Sequence, residues 1–159
     1  MTLNIRAATV DDAGLIVQFI ADLAAYEKLS DEAVATPADI VRDLFGANPK
    51  VFCEIAEWDG KPVGFTLWFY TYSTFQGRAG LYLEDLYVDP ALRGKGIGKA
   101  LLVNLARRCV REQLGRFEWS VLDWNQPSID FYQSQGGVMM DEWTRVRVDG
   151  AALIALGRQ

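Results

Sequence analysis

The sequence predicts an α/β domain built on a mixed, mainly antiparallel sheet, and three observations predict it. The apolar residues leave a helical period and begin to alternate near residue 50. Asp59-Gly60 then separates two alternating runs, which is the pattern of a tight hairpin. Finally, a Gly-rich turn and a long amphipathic segment stand between "LYLEDLYVD" and "RFEWSVL", and such a strand–helix–strand unit makes a parallel, right-handed crossover. A length of 159 residues suits one domain, residues 1–159.

Each element follows from its own residues. "LNIRAA" reads as a first strand. Thr9 caps the next helix with Asp12 three positions on, and Ile16, Phe19, Ile20 and Leu23 recur at helical spacing. "EKLSDEAVAT" is polar and loop-like, and Thr36-Pro37 opens a second helix that ends near Phe45–Gly46. "KVFCEIAEW" and "PVGFTLWFYTYST" are strands, "FQGRAG" is a turn, and "LYLEDLYVD" is the third strand of this set. Strict alternation in that strand sends Leu83, Asp85 and Tyr87 to one face, and Tyr82, Glu84, Leu86 and Val88 to the other. Ile97, Leu101, Leu105 and Cys109, with Leu102 beside them, form the apolar row of the long helix, and Gly115 is its expected stop. "RFEWSVL" is a strand, a short helix runs from about Pro127 to Gln135, and two strands close the chain around Asp149-Gly150.

Composition excludes several chemistries. The chain has no histidine, which removes Ser–His and Cys–His dyads and His-ligated zinc; no metal site is expected. Proton transfer then falls to carboxylates, Tyr, Lys, Cys or water. Cys53 and Cys109 lie apart in apolar segments and read as small buried hydrophobes. A net charge of −5 argues against a nucleic-acid partner. No apolar run approaches the length of a membrane span and no signal-peptide pattern opens the chain, so the expected location is cytoplasmic.

The turn "RGKGIG" carries the first functional signal. The leading N–H groups of a helix lack internal partners and attract an anion, so a Gly-rich turn entering a helix is a natural phosphate cradle. It is no Walker A loop, because Ala100 follows Gly98-Lys99 and Arg93 replaces the first Gly. It is no dinucleotide fingerprint either, since Lys99 or Leu101 falls where the third Gly belongs. What remains is R-x-x-G-x-G, and this resembles the pyrophosphate signature of the Gcn5-related N-acetyltransferases. "YEKLSDE", "YSTFQGR", "YLEDLYV", "RGKGIG" and "VLDWNQPSIDFY" together resemble the diamine acetyltransferase subfamily, above all its thialysine N-epsilon-acetyltransferase branch.

That resemblance implies the acyl-CoA N-acyltransferase fold, with helices on both faces of the sheet, a homodimer, and acetyl-CoA as cosubstrate. It implies transfer of acetyl to a small cationic amine, with a protein or peptide lysine acetyltransferase, or a non-catalytic acyl-CoA sensor, as alternatives. Backbone N–H groups across Arg93, Gly94, Lys95, Gly96, Ile97, Gly98 and Lys99 would hold the pyrophosphate. The strand backbone at Leu86 and Val88 would meet the thioester carbonyl and the pantetheine arm, where an N–H stabilises an oxyanion.

Amine acetylation poses two proton problems. A lysine-like amine with pKa about 10.4 is only roughly 0.04 % free base at pH 7, and the departing thiolate needs a proton. Glu84, one of two adjacent acids in an apolar run, is the candidate base, acting through a water; the plain alternative is that one acid of the pair faces solvent. The resemblance makes Tyr132 the general acid, where pattern alone reads it as a helix aromatic. A phenol, pKa about 10, keeps its proton at neutral pH, where a thiolate near 8.5 requires one. Asn125 reads as a helix cap, and the resemblance adds a contact with coenzyme A. Glu27, Phe75, Glu84 and Asp85 are the candidate acceptor-binding residues, with Tyr72 and Tyr82 nearby; the aromatics can equally pair across a hairpin. Ser73-Thr74-Phe75 replaces the acid and Trp of spermidine/spermine acetyltransferases, which favours thialysine, lysine-like amines or short diamines over spermine.

Overall fold

Alternation and turn chemistry build one five-stranded sheet in the order β1-β2-β3-β4-β5. The strands are β1 Leu3–Ala7, β2 Phe52–Trp58, β3 Lys61–Ser73, β4 Arg78–Val88 and β5 Phe117–Trp119. The first four pair antiparallel and β5 pairs parallel with β4, so the sheet is mixed and mainly antiparallel. Asp59 at φ 50° and Gly60 at φ 80° make the tight turn between β2 and β3. The coordinates are a computed structural model describing residues 2–159. They divide into two compact units, the first ending at Leu122 and the second spanning Asp123–Gln159.

In the first unit, the helices are α1 Ala13–Tyr26, α2 Pro37–Phe45 and α3 Ile97–Arg111. Thr36 caps α2 by accepting from the Asp39 N–H, with Pro37 at the first helical position. Around Thr9 the capping box forms, its N–H donating to Asp12 at 2.7 Å, but the first turn is 3₁₀ and the α-helix begins at Ala13. Ile16 and Phe19 of α1, with Ile40 and Leu44 of α2, pack on Cys53, Ile55, Phe65, Leu67 and Tyr87. Ile97 and Leu101 of α3 pack on Ala56, Val63 and Val88. Ile55 and Ala56 are sequence neighbours on opposite faces, so helices cover both sides of the sheet. Cys53 and Cys109 are free and buried, and burial pushes both thiols above the ordinary range.

Two boundaries differ from the sequence reading. The turn at "FQGRAG" is shorter, because Arg78–Gly80 already pair with Thr71–Ser73. The stop of α3 is Gln113, not Gly115. Gln113 takes φ 58°, its N–H reaches Val110 O at 3.2 Å and the Leu114 N–H reaches Cys109 O at 2.9 Å, which is a Schellman end. Gly115 instead donates to Ala79 O at 2.9 Å and follows the β4 edge.

The second unit holds α4 Gln126–Ser134 and α5 Gly150–Leu156. The predicted closing strands around Asp149-Gly150 are absent. Residues 138–149 carry no strand, and the Ala/Leu-rich "GAALIAL" forms a helix in keeping with its propensity. Two-residue turn chemistry needs a partner strand on each side, and here neither flank has one.

Candidate active site

The Gly-rich turn has the geometry of an anion cradle. Gly94 lies at φ 82° and Gly96 at φ 80°, conformations that suit glycine. A Cβ at either position would meet nothing within 4 Å, so both glycines border open space. Gly96 is the N-cap of α3, and the first intrahelical bond runs from the Ala100 N–H to Gly96 O at 2.9 Å. The N–H groups of Ile97, Gly98 and Lys99 precede it and lack helical partners. Lys95 and Lys99 are exposed and add positive charge.

Beside this cradle β4 opens. Its pairing with β5 covers only Leu81–Leu83, while β4 continues to Val88. On the other side, Leu67 faces Asp85 but Trp68 faces Leu83, so Glu84 is an extra residue, a β-bulge. The bulge inverts the alternation. The Leu81 N–H donates toward β5, to Arg116 O at 2.9 Å, whereas the Asp89 N–H donates toward β3, to Val63 O at 2.8 Å. Counting back from Asp89 by twos, Leu86 and Val88 direct their N–H groups to the unpaired side. Strict alternation therefore placed Leu83 wrongly: it lies opposite Trp68, away from the Asp85–Tyr87 face.

The same bulge sets the carboxylates. Glu84 is exposed; Asp85 is half-buried on the α1 face, opposite Leu67. Glu27 is the C-cap of α1. Burial raises the Asp85 carboxyl to about 7, with Glu84 and then Glu27 adding to the shift. Burial and the charge of Glu84 likewise raise Glu27. Thus the structure brings Glu27, Glu84 and Asp85 into one negative field. Among the described residues no group of His, Cys, Asp or Glu side chains is arranged to hold a metal.

Phe75 does not join them within one chain. It is 99 % exposed at the end of the β3–β4 hairpin, and Asp85 lies seven positions along the strand from Arg78, about 23 Å at 3.3 Å per residue. Tyr72 is also exposed. Tyr82 packs on Phe69 at 5.2 Å and its hydroxyl pairs with Ser120 at 2.7 Å, the cross-strand role.

In the second unit, Asn125 is buried and caps α4, its Oδ1 accepting from the Ser128 N–H at 3.4 Å. Tyr132 is half-buried on α4, its ring 5.6 Å from that of Phe131. Its carbonyl accepts from Gly137 at 2.9 Å, which ends the helix over Gly136 at φ 94°.

Residues 18–137 match the Acetyltransferase (GNAT) family. The chain belongs to the GNAT acetyltransferases. This GNAT protein is 38 % identical over 160 residues to a thialysine N-epsilon-acetyltransferase of Sus scrofa, covering 94 % of each chain. It is 29 % identical to an L-ornithine N5-acetyltransferase of Arabidopsis thaliana, covering 99 % of this chain and 89 % of the relative. Against a spermidine/spermine N(1)-acetyltransferase-like protein of Homo sapiens the identity is 40 %, over 85 % of this chain but 20 % of that one. An integron cassette protein from the mobile metagenome of V. cholerae superposes with a TM-score of 0.83 at 24 % identity, over 100 % of this chain and 99 % of the other. This GNAT chain is therefore an N-acetyltransferase similar to the thialysine and polyamine enzymes, and no helix among its described residues is long and apolar enough to cross a membrane.

Sequence reasoning missed two features of the site. The bulge at Glu84 has no composition cue, since neither Gly nor Pro marks it. The second is a contact between Arg93 and Tyr26, whose guanidinium carbon lies 4.6 Å from the ring centroid. Both residues stand in quoted motifs, yet sequence spacing gives no sign that they meet.

Proposed function

We propose that the protein transfers acetyl from acetyl-CoA to a small cationic amine: thialysine, a lysine-like amine or a short diamine. The bulge at Glu84 carries this reading, because it sets two acids, Glu84 and Asp85, directly before the outward N–H groups of Leu86 and Val88 in the strand. The open cradle fits a pyrophosphate. Gly94–Lys99 would hold it through backbone N–H groups, with Lys95 and Lys99 as counter-charges. Acetyl-CoA supplies the activated acetyl group as a thioester.

The residues then divide the work. Glu27 and Asp85 attract the ammonium, and Glu84 takes a proton from it through water, leaving a free amine. The amine nitrogen attacks the carbonyl carbon; the C–N bond forms, the C–S bond breaks, and the surplus proton on the nitrogen passes to solvent. The Leu86 or Val88 N–H groups stabilise the charge that develops on the carbonyl oxygen. Tyr132 gives its phenolic proton to the sulfur, and Asn125 serves both as the α4 cap and as a coenzyme A contact. The assembly we assign is a cytoplasmic homodimer, in which the exposed Phe75 hairpin end has a second copy's acceptor site available to it.

Thiol release from acetyl-CoA across thialysine, lysine, putrescine, spermidine, spermine and a lysine peptide tests the proposal. The highest kcat/KM is expected for thialysine, a lysine-like amine or putrescine. Spermine as the best acceptor would overturn the size inference. A strong preference for the peptide would favour a protein lysine acetyltransferase, and coenzyme A binding without release of thiol would favour a sensor.

A further inference from the structure

β5 joins β4 through a short parallel ladder, and its last pair is Leu83 with Trp119. Beyond that pair the outward edge of β4 begins. A parallel ladder of this length is a weak tie, and its open end frays at little cost. One side-chain bond spans that end. Ser120 stands one residue past the last pair, and its Oγ meets the Tyr82 hydroxyl at 2.7 Å. Tyr82 itself pairs with Glu118, so the bond reaches forward over the last pair on that face. The Tyr82 ring is held by Phe69 of β3, 5.2 Å between centroids. Ser120 is exposed and has water at hand, so packing on Phe69 is what aims the phenol at it.

This fork lies on the line of the acyl group. The cradle at Gly94–Lys99 follows the C-terminal end of β4. An arm leaving it along the outward edge meets the Val88 N–H, then that of Leu86, and its acyl end points on toward Leu83 and Trp119. Leu86 is three positions past Leu83, and one of these is the bulge. Two strand steps remain, about 7 Å at 3.3 Å per residue. That depth takes an acetyl group and few further carbons. Opening the fork by one pair would add another step on the side where the acyl chain grows.

We infer that Tyr82 and Ser120 are specificity-determining residues for the acyl group: their hydrogen bond holds the fork of β4 and β5 closed at Leu83 and so keeps the pocket for a short acyl chain. The inference rests on the acetyl-transfer reading above and adds to it what limits the chain that the thioester carries. One neutral hydrogen bond at an exposed edge shifts an equilibrium about two- to tenfold.

Titration calorimetry of acetyl-CoA and butyryl-CoA, without amine, tests it on the wild type, Tyr82→Phe, Ser120→Ala, Ser120→Thr and the Tyr82→Phe/Ser120→Ala double variant. The wild type is expected to bind acetyl-CoA more tightly than butyryl-CoA. Tyr82→Phe and Ser120→Ala should each shrink that preference about two- to tenfold, and the double variant no further, since all three lose the same bond. Ser120→Thr keeps a hydroxyl and should keep the wild-type preference. Tyr82→Phe retains the ring on Phe69, so a purely structural role would leave the preference where it was. An unchanged preference overturns the inference, as does a wild type that binds the two thioesters equally. A raised amine KM with an unchanged preference would make Tyr82 an acceptor contact and overturn it too. Should neither thioester bind, the functional reading fails on its own, and hydrogen exchange at the Trp119, Ser120 and Val121 amides still reads the latch. Exchange no faster in Tyr82→Phe and Ser120→Ala than in the wild type would show that the bond holds nothing closed.

Discussion

Replacing Tyr132 by phenylalanine is expected to lower kcat by roughly 10²-fold or more, in the range typical of a lost general acid. The substitution keeps the ring that packs beside Phe131 on α4, so the helix should persist. What goes is one hydroxyl. Handing a proton from a phenol of pKa about 10 to a thiolate near 8.5 is uphill by about 2 kcal/mol in water. The phenol therefore helps most as the C–S bond stretches and charge collects on sulfur, with solvent restoring its proton afterwards. The loss should appear in kcat when the amine is saturating, and circular dichroism should show an unchanged fold. A Tyr132→Phe enzyme that turns over at the wild-type rate would remove the tyrosine from the reaction.

Asp85→Asn should make the protein more stable at pH 8 and leave it a poorer enzyme. The Asp85 carboxyl is raised from 3.8 to about 7 by burial, then by Glu84 and Glu27. Between those two values the folded state holds a proton that the unfolded chain has lost. Stability contributed by this group is therefore present below about pH 4 and disappears as pH rises through about 7. Asparagine has the same shape and no charge to bury. Its advantage should be on the order of 3 kcal/mol at pH 8 and shrink below about 1 kcal/mol near pH 4. Urea unfolding of both proteins at the two pH values measures it, and a stability difference that does not grow with pH would contradict the buried-charge account. A carboxylate kept at such a cost is best explained by a cationic ligand that relieves it.

Most of the frame was legible in the sequence because local chemistry and tertiary contacts agree there. Thr36-Pro37 caps a helix, Asp59-Gly60 turns a hairpin, and Ile97, Leu101, Leu105 and Cys109 are all buried in one row. The failures lie where local signals are silent or misleading. Gly115 has the residue type of a helix stop, but Gln113 occupies the left-handed position. Asp149-Gly150 has the residue type of a hairpin, but the residues after it prefer a helix and no strand flanks them. The candidate site divides in the same way. Glu27, Glu84 and Asp85 were each named from sequence, and the structure gathers them. Phe75 was named with them and stands a hairpin's length away, since distance along a strand cannot be judged from the types of residue at its ends.

The extra residue at Glu84 has a consequence for how such a site can vary. Upstream of it, odd-numbered positions of β4 turn their N–H groups toward β5; downstream, even-numbered positions do so. The binding edge is thus made of backbone, not of any particular side chain. Deleting Glu84 would let regular alternation run on from Leu83 into Asp85, so Asp85 would still face Leu67 and the Leu86 and Val88 N–H groups would still point outward. Point substitutions along this strand can tune which amine is preferred while the edge that meets the thioester stays the same.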